Sequence, residues 1–184
     1  MEKRCKNKLT ELIAGCLAAF ITIGSVTLVP GNREAEVQAY SFTEVAIDKT
    51  HFPDNNFRAY IKEAFDTNKN NRLDSDEILV ARNIWCDSRG VESLEGIQYL
   101  KELRGLYCRN NKLKTLDLSG NQLITGVWVS NNLFTSLDFY KNPTLEWLYC
   151  FDNPKLTKLK VADNPKMSYL EVNTCPARND RCIS

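Results

Sequence analysis

Four aromatic residues, Trp85, Tyr107, Trp128 and Tyr149, recur at intervals of 22, 21 and 21, each between two apolar or cysteine neighbours. Large rings at a regular spacing are contact chemistry, because Trp and Tyr supply most of the energy at binding surfaces. A second concentration of reactive groups lies between 66 and 77, where the carboxylates of Asp66, Asp74 and Glu77 mix with the amides of Asn68 and Asn70. Oxygen donors of this kind suit a hard cation, which takes six to eight of them. Groups for proton transfer are scarce. His51 is the single histidine, beside Phe52-Pro53 and without an evident nucleophile or carboxylate partner. Asp117 and Asp138 stand 21 apart and read as a solvated ladder rather than an acid pair, and no Gly-rich phosphate loop occurs. Catalysis is therefore not expected.

The elements that must position these residues follow from a repeat. Asn returns at 111, 121, 132, 142, 153 and 164, with gaps of ten, eleven, ten, eleven and eleven. Leu113, Ile124, Phe134, Leu145, Leu156 and Met167 follow two or three residues later, and each is followed by apolar pairs such as Leu116/Leu118, Val127/Val129 and Leu148/Cys150. Self-similarity at a fixed period is the mark of a solenoid, whose units bury their apolar side only against each other. In Leu106-Tyr107-Cys108 the alternation puts Leu106 and Cys108 inside a short strand and Tyr107 outside. Asn suits the bend after each strand, since it tolerates a left-handed backbone and its amide bonds locally. Pro143, Pro154 and Pro165 follow three of these asparagines and exclude a regular helix there.

The run Leu103-x-x-Leu106-x-Cys108-x-x-Asn111-x-Leu113-x-x-Leu116-Asp117-Leu118-Ser119-x-Asn121 resembles the bacterial 21-residue leucine-rich repeat, a nested type whose two halves are alike. The resemblance covers roughly residues 84 to 175 and implies an α+β repeat protein, a solenoid of short parallel strands. About four and a half coils are expected, beginning at Ile84-Trp85-Cys86. Val91, Leu94, Ile97 and Leu100 recur every third residue, as a short helix or 3₁₀ turns would require. Stacked strands would align Trp85, Tyr107, Trp128 and Tyr149 in one stripe, widened by Trp147 and Phe151 at i−2 and i+2 from Tyr149. The family more often carries small polar residues here, so the stripe implies a binding face for a protein or a glycan. The bland alternative is that the rings pack under a loop or on each other.

Upstream of the repeats, Phe57, Tyr60, Ile61, Ala64 and Phe65 make one stripe of an amphipathic helix. The stretch from Asp66 to Glu77 after it resembles an EF-hand loop: Asp66, Asn68 and Asn70 at positions one, three and five, Arg72 at seven through its carbonyl, Asp74 at nine and Glu77 at twelve. Asn71 stands at position six where the family has Gly, and Leu73 at eight packs inward. The resemblance implies a calcium ion of modest affinity in a helix-loop-helix unit. A lone loop of this kind implies a structural cap over the first rung rather than a switch.

Residues 1–39 read as an export signal: Lys3, Arg4, Lys6 and Lys8, an apolar run from Leu12 to Val29, then Val37-Gln38-Ala39. An uncleaved anchor is the alternative, and it is the only membrane contact expected. Beyond residue 39 the chain has nineteen basic and nineteen acidic residues, so nucleic acid is not an expected partner. Five cysteines follow the signal; Cys86, Cys108 and Cys150 read as small apolar residues of the core, and Cys175 and Cys182 as a disulfide across the last rung. The organisation is thus a signal at 1–39, a helical cap at 40–82, repeats at 83–175 and a tail at 176–184. The function expected is an exported or cell-surface interaction module. A ligand-free surface spacer, or a non-catalytic accessory of carbohydrate- or peptide-processing machinery, is the alternative.

Overall fold

The computed structural model describes residues 44–161 and 166–172. The expected export segment at 1–39, residues 40–43, Asn164 and Pro165, and the cysteines of the expected Cys175–Cys182 disulfide lie outside the described residues.

A short strand, β1 (Val45–Ala46), precedes helix α1 (Asn55–Phe65). Asp54 starts the helix by accepting the Phe57 amide at 2.8 Å, which satisfies one of the free N–H groups of the first turn. Phe57, Tyr60, Ile61 and Phe65 are buried. Ala64, placed in the same stripe by its spacing, is exposed; it lies at the margin of the stripe, where a methyl group gains little by burial. Strand β2 (Arg72–Leu73) pairs antiparallel with β1, Leu73 opposite Val45, and helix α2 (Ser75–Val80) opens on a capping box between Asp74 and Glu77.

The repeats form two parallel sheets. β3 (Asn83–Trp85), β4 (Gly105–Tyr107), β5 (Gly126–Trp128), β7 (Trp147–Tyr149) and β9 (Tyr169–Glu171) make the larger one. Ile84, Leu106, Val127, Leu148 and Leu170 sit one above the other in its register. The smaller sheet pairs β6 (Ser136–Asp138) with β8 (Lys158–Lys160). A 3₁₀ turn at Ile97–Tyr99 lies behind the first coil, and Val91, Leu94, Ile97 and Leu100 are all buried. Leucine, valine and phenylalanine side chains from successive coils fill a continuous interior, the dominant stabilising term in such an array.

The asparagines work differently from the expectation. Asn111, Asn121, Asn132, Asn142 and Asn153 are buried, and none of them is left-handed. Their amides bridge coils: Asn132 donates to Cys108 O at 2.9 Å and accepts from Leu113 N at 3.0 Å, and Asn121 donates to Ile97 O and Leu100 O, both at 2.9 Å. Before Asn111, Asn132 and Asn153 the left-handed bend belongs to the preceding residue, Asn110, Asn131 and Asp152, and Ser88 takes it at the equivalent place in the first coil; the residues before Asn121 and Asn142 carry no such bend. Each side chain thereby replaces the backbone partners that a turning chain loses.

Helix α1 closes the open edge of β3. The Tyr60 hydroxyl accepts the Trp85 amide at 2.7 Å, Asp54 accepts from Glu92 N and Ser93 N, and Asn56 donates to Gly90 O. Arg89 pairs with Glu63 at 2.7 Å and lies 5.0 Å over the Tyr60 ring. An edge strand needs such partners for its free N–H groups.

Two of the inward cysteines differ from the expectation. Cys86 and Cys108 are joined as a disulfide across the first two coils, whereas Cys150 is free and buried. The column runs Cys86, Cys108, Val129, Cys150, so Val129 leaves Cys150 two rungs from the nearest cysteine below it.

Candidate functional site

The parallel register brings the outward rings into one stack. Ring centroids are 3.8 Å apart for Trp85 and Tyr107, 4.3 Å for Tyr107 and Trp128, and 5.4 Å for Trp128 and Tyr149, with interplanar angles of 7°, 10° and 14°. These separations follow the spacing of about 4.8 Å between strands. Tyr107 and Trp128 therefore lie with both faces covered by the rings above and below, which leaves their edges toward solvent.

Two glycines make this geometry fit. A Cβ on Gly126 would lie 2.3 Å from Cζ3 of Trp128, and one on Gly105 would lie 3.0 Å from Cε2 of Tyr107. Trp128 thus leans back along its own strand over Gly126, and Tyr107 over Gly105, where the Asn83 Oδ1 of the preceding rung also lies 2.3 Å from the position of a Cβ. Tyr107, Trp128 and Tyr149 are half-buried by one another, while the end ring Trp85 is 58% exposed and keeps one free face.

Tyr169 extends the ladder, stacking 4.8 Å from Tyr149 and 6.1 Å from Trp147. The spacing argument missed it because Tyr169 is opposite Trp147 in register and Glu171 takes the ladder column; the signal that could have found it is the 22-residue interval from Trp147. Repulsion from the Glu171 carboxylate beside it disfavours the phenolate and pushes the Tyr169 pKa above its usual value. Trp147 belongs to the face at 41% exposure. Phe151 does not join the stack: it is half-buried, and no ring of the described residues stacks on it.

The Asp66–Glu77 loop brings its oxygen-bearing side chains together. Asp66 accepts from Asn70 N at 3.0 Å and Asn71 N at 3.1 Å. Asn68 and Asn70 both donate from Nδ2 to the Asp74 carboxylate, at 2.7 and 3.0 Å. Glu77, 5% exposed, accepts from Thr67 N and Oγ1 with one oxygen and from Asp74 N with the other. Asn71 has a φ of 61°, the left-handed value expected at the sixth place. The Arg72 side chain turns away to Glu44 at 2.9 Å, which takes its charge off the loop. Among the described residues no three of His, Cys, Asp and Glu gather as a ready metal cluster. A coordination sphere here thus depends on the Asn68 and Asn70 amides and the Arg72 carbonyl, hard oxygens that match calcium in kind.

Elsewhere, His51 does have a carboxylate partner, contrary to the expectation: its Nδ1 lies 2.8 Å from Asp48, three residues before it. A hydrogen bond from the His51 side chain holds the Asp48 carboxyl below the usual range. Asp117 and Asp138 each accept from the amide two residues on, Ser119 N and Tyr140 N, and these bonds lower both carboxyls. A general acid needs the opposite shift. Lys160 pairs with Asp138 at 3.3 Å in the next rung.

A model described as leucine rich repeat matches residues 109–127. Over 70 residues the chain is 33% identical to internalin J of Listeria monocytogenes serotype 4b, which covers 38% of this chain and 8% of that relative's length. An internalin (inlF) from L. monocytogenes superposes with a TM-score of 0.55 at 19% identity, over 68% of this chain and 41% of that one. The functional domain of InlJ from the same species, described as including a cysteine ladder, gives 0.47 at 22% identity, over 71% and 36%. The chain therefore spans less than half the length of these relatives. Strand register and superposition agree on a parallel-strand solenoid, within which residues 109–127 match a leucine-rich repeat.

Proposed function

We propose that the chain is an exported interaction module that grips a protein partner with the aromatic ladder, and that calcium in the Asp66–Glu77 loop stiffens its helical cap. The observation that carries this reading is the uninterrupted stack from Trp85 to Tyr169 on one solvent-facing sheet. Contiguous exposed aromatic surface marks an interaction site. Similarity to internalins and the 21-residue spacing support a binding module of the nested leucine-rich type. The basic, then apolar, start of the chain supports export.

Ring geometry favours protein over sugar. Sugars stack on ring faces, and within the column the faces are taken by neighbouring rings; among the column's described residues only the end rings, Trp85 and Tyr169, have a face on which no other ring stacks. Ring edges suit the close-packed, mixed contacts of a protein interface. In the loop, Asp66, Asn68, Asn70, Asp74, Glu77 and the Arg72 carbonyl would hold calcium, which supplies a positive centre for the three carboxylates.

The test compares wild type with Trp128→Ala and Trp85→Ala on two supports, an array of bacterial and host glycans and an array of cell-surface proteins. Saturable binding to a protein, lost in Trp128→Ala, is the expected result. Binding to glycans that survives Trp128→Ala and is lost in Trp85→Ala would replace the protein reading, and no saturable binding to either would leave a spacer.

A further inference from the structure

We infer that the first two rungs of the ladder receive an acidic, extended polypeptide segment, with Arg82 and Arg104 clasping its carboxylates beside the edges of Trp85 and Tyr107. This rests on the reading of the ladder as a protein-binding face. An aromatic ring is negative on its face and positive at its edge. Stacking hides the faces of this column and turns the edges out, so the ladder presents a positive rim and repels the cationic groups that a free face would attract.

Arg82 and Arg104 strengthen that rim at one end. They stand at equivalent places in successive coils, immediately before Asn83 and Gly105, the residues that open strands β3 and β4, and Arg104 N donates to Arg82 O at 2.7 Å. Both are exposed. Arg82 has no ion-pair partner among the described residues, and Arg104 approaches only Glu102, at 4.0 Å. The other arginines near this face are engaged, Arg89 with Glu63 and Arg109 with Asp87, each at 2.7 Å. Arg82 and Arg104 rise from backbone positions about one strand spacing apart, and their long side chains can splay to meet two carboxylates on one side of an extended chain, whose alternate residues are about 7 Å apart.

The same column continues through Thr125 to Glu146, and Glu171 ends the ladder. Charge therefore runs from basic at the first rungs to acidic at the last. A uniformly charged polyanion would meet repulsion along half of this path, whereas a peptide carries its acidic residues locally. The polarity also fixes direction: the acidic part of the segment lies over β3 and β4.

The experiment uses the full chain and fluorescein-labelled twelve-residue peptides, one alternating Glu and Leu and one alternating Lys and Leu, with inorganic polyphosphate as a third probe. The Glu/Leu peptide is expected to bind, more weakly as salt rises. Arg82→Ala with Arg104→Ala should weaken it on the order of tenfold or more, as the loss of two charge-assisted contacts requires, and Arg82→Glu with Arg104→Glu should abolish it. Melting temperatures of these exposed-site variants serve as the control. Loss of binding in Trp128→Ala with no change in the arginine variants overturns this inference and leaves the ladder reading in place; no change in either set overturns both. Tighter binding of the Lys/Leu peptide, polyphosphate binding as strong as the acidic peptide's, or concentration-dependent self-association that the peptide does not disperse would each assign the face to another occupant and overturn it.

Discussion

Gly126 is where the ladder is most sensitive to one atom. A methyl group there would stand 2.3 Å from the Trp128 ring, so Gly126→Ala should push the indole out of the stack and cost about 1–3 kcal/mol, the usual penalty of overpacking; thermal melts and tryptophan emission check it. Cys150 supplies a second prediction. Burial pushes its thiol from 9.0 up to about 12. Between these values the unfolded chain releases the proton and the folded chain keeps it, so stability falls as pH rises above 9, by at most about 1.4 kcal/mol per unit. Cys150→Val, which copies Val129 of the preceding rung, should flatten that alkaline loss relative to wild type in melts across this range. At this scale the rings Trp85, Tyr107, Trp128 and Tyr149 were legible because strand pairing converts a 21- or 22-residue interval into contact. The glycines beneath them were not, since the lean of a ring depends on rotamer and local space that no interval encodes.

Within the coil, the neighbouring pairs Asn110/Asn111 and Asn131/Asn132 divide two tasks that the sequence assigned to one residue. Asn131 takes the left-handed bend at φ 54°, and Asn132 turns inward to bond Cys108 O and Leu113 N. Asn132→Ala should therefore cost about 2–4 kcal/mol, because it strands buried backbone groups. Asn131→Gly should be nearly neutral, while Asn131→Val should cost about 1–2 kcal/mol through the left-handed backbone. Denaturant midpoints of the three variants rank them, and equal losses at 131 and 132 would refute the division. Bend and bond were both legible as asparagine chemistry. Which asparagine did which was not, because both residues are the same type and only packing tells inside from outside.

Among the described residues, the first two coils are tied down twice: α1 caps β3, and Cys86–Cys108 joins the two coils. Reduction of that disulfide, with a sequence separation of 22, should remove about 3 kcal/mol and lower the melting temperature. The bond escaped the sequence because an inward cysteine reads equally well as a small apolar residue until its neighbour one rung away is known. Calcium should raise the melting temperature and chelator should lower it, with Glu77→Gln abolishing the difference; equal melts in all four conditions would remove calcium from the cap. The most direct test of the account is the far-ultraviolet circular dichroism of wild type against Trp128→Ala. Rings stacked across successive coils must couple, so the account predicts an exciton couplet in wild type that collapses in the variant, which keeps a cooperative melt at a temperature lowered by the two lost ring contacts. Superimposable spectra would mean that the rings do not form a ladder, and the proposed face would go with it.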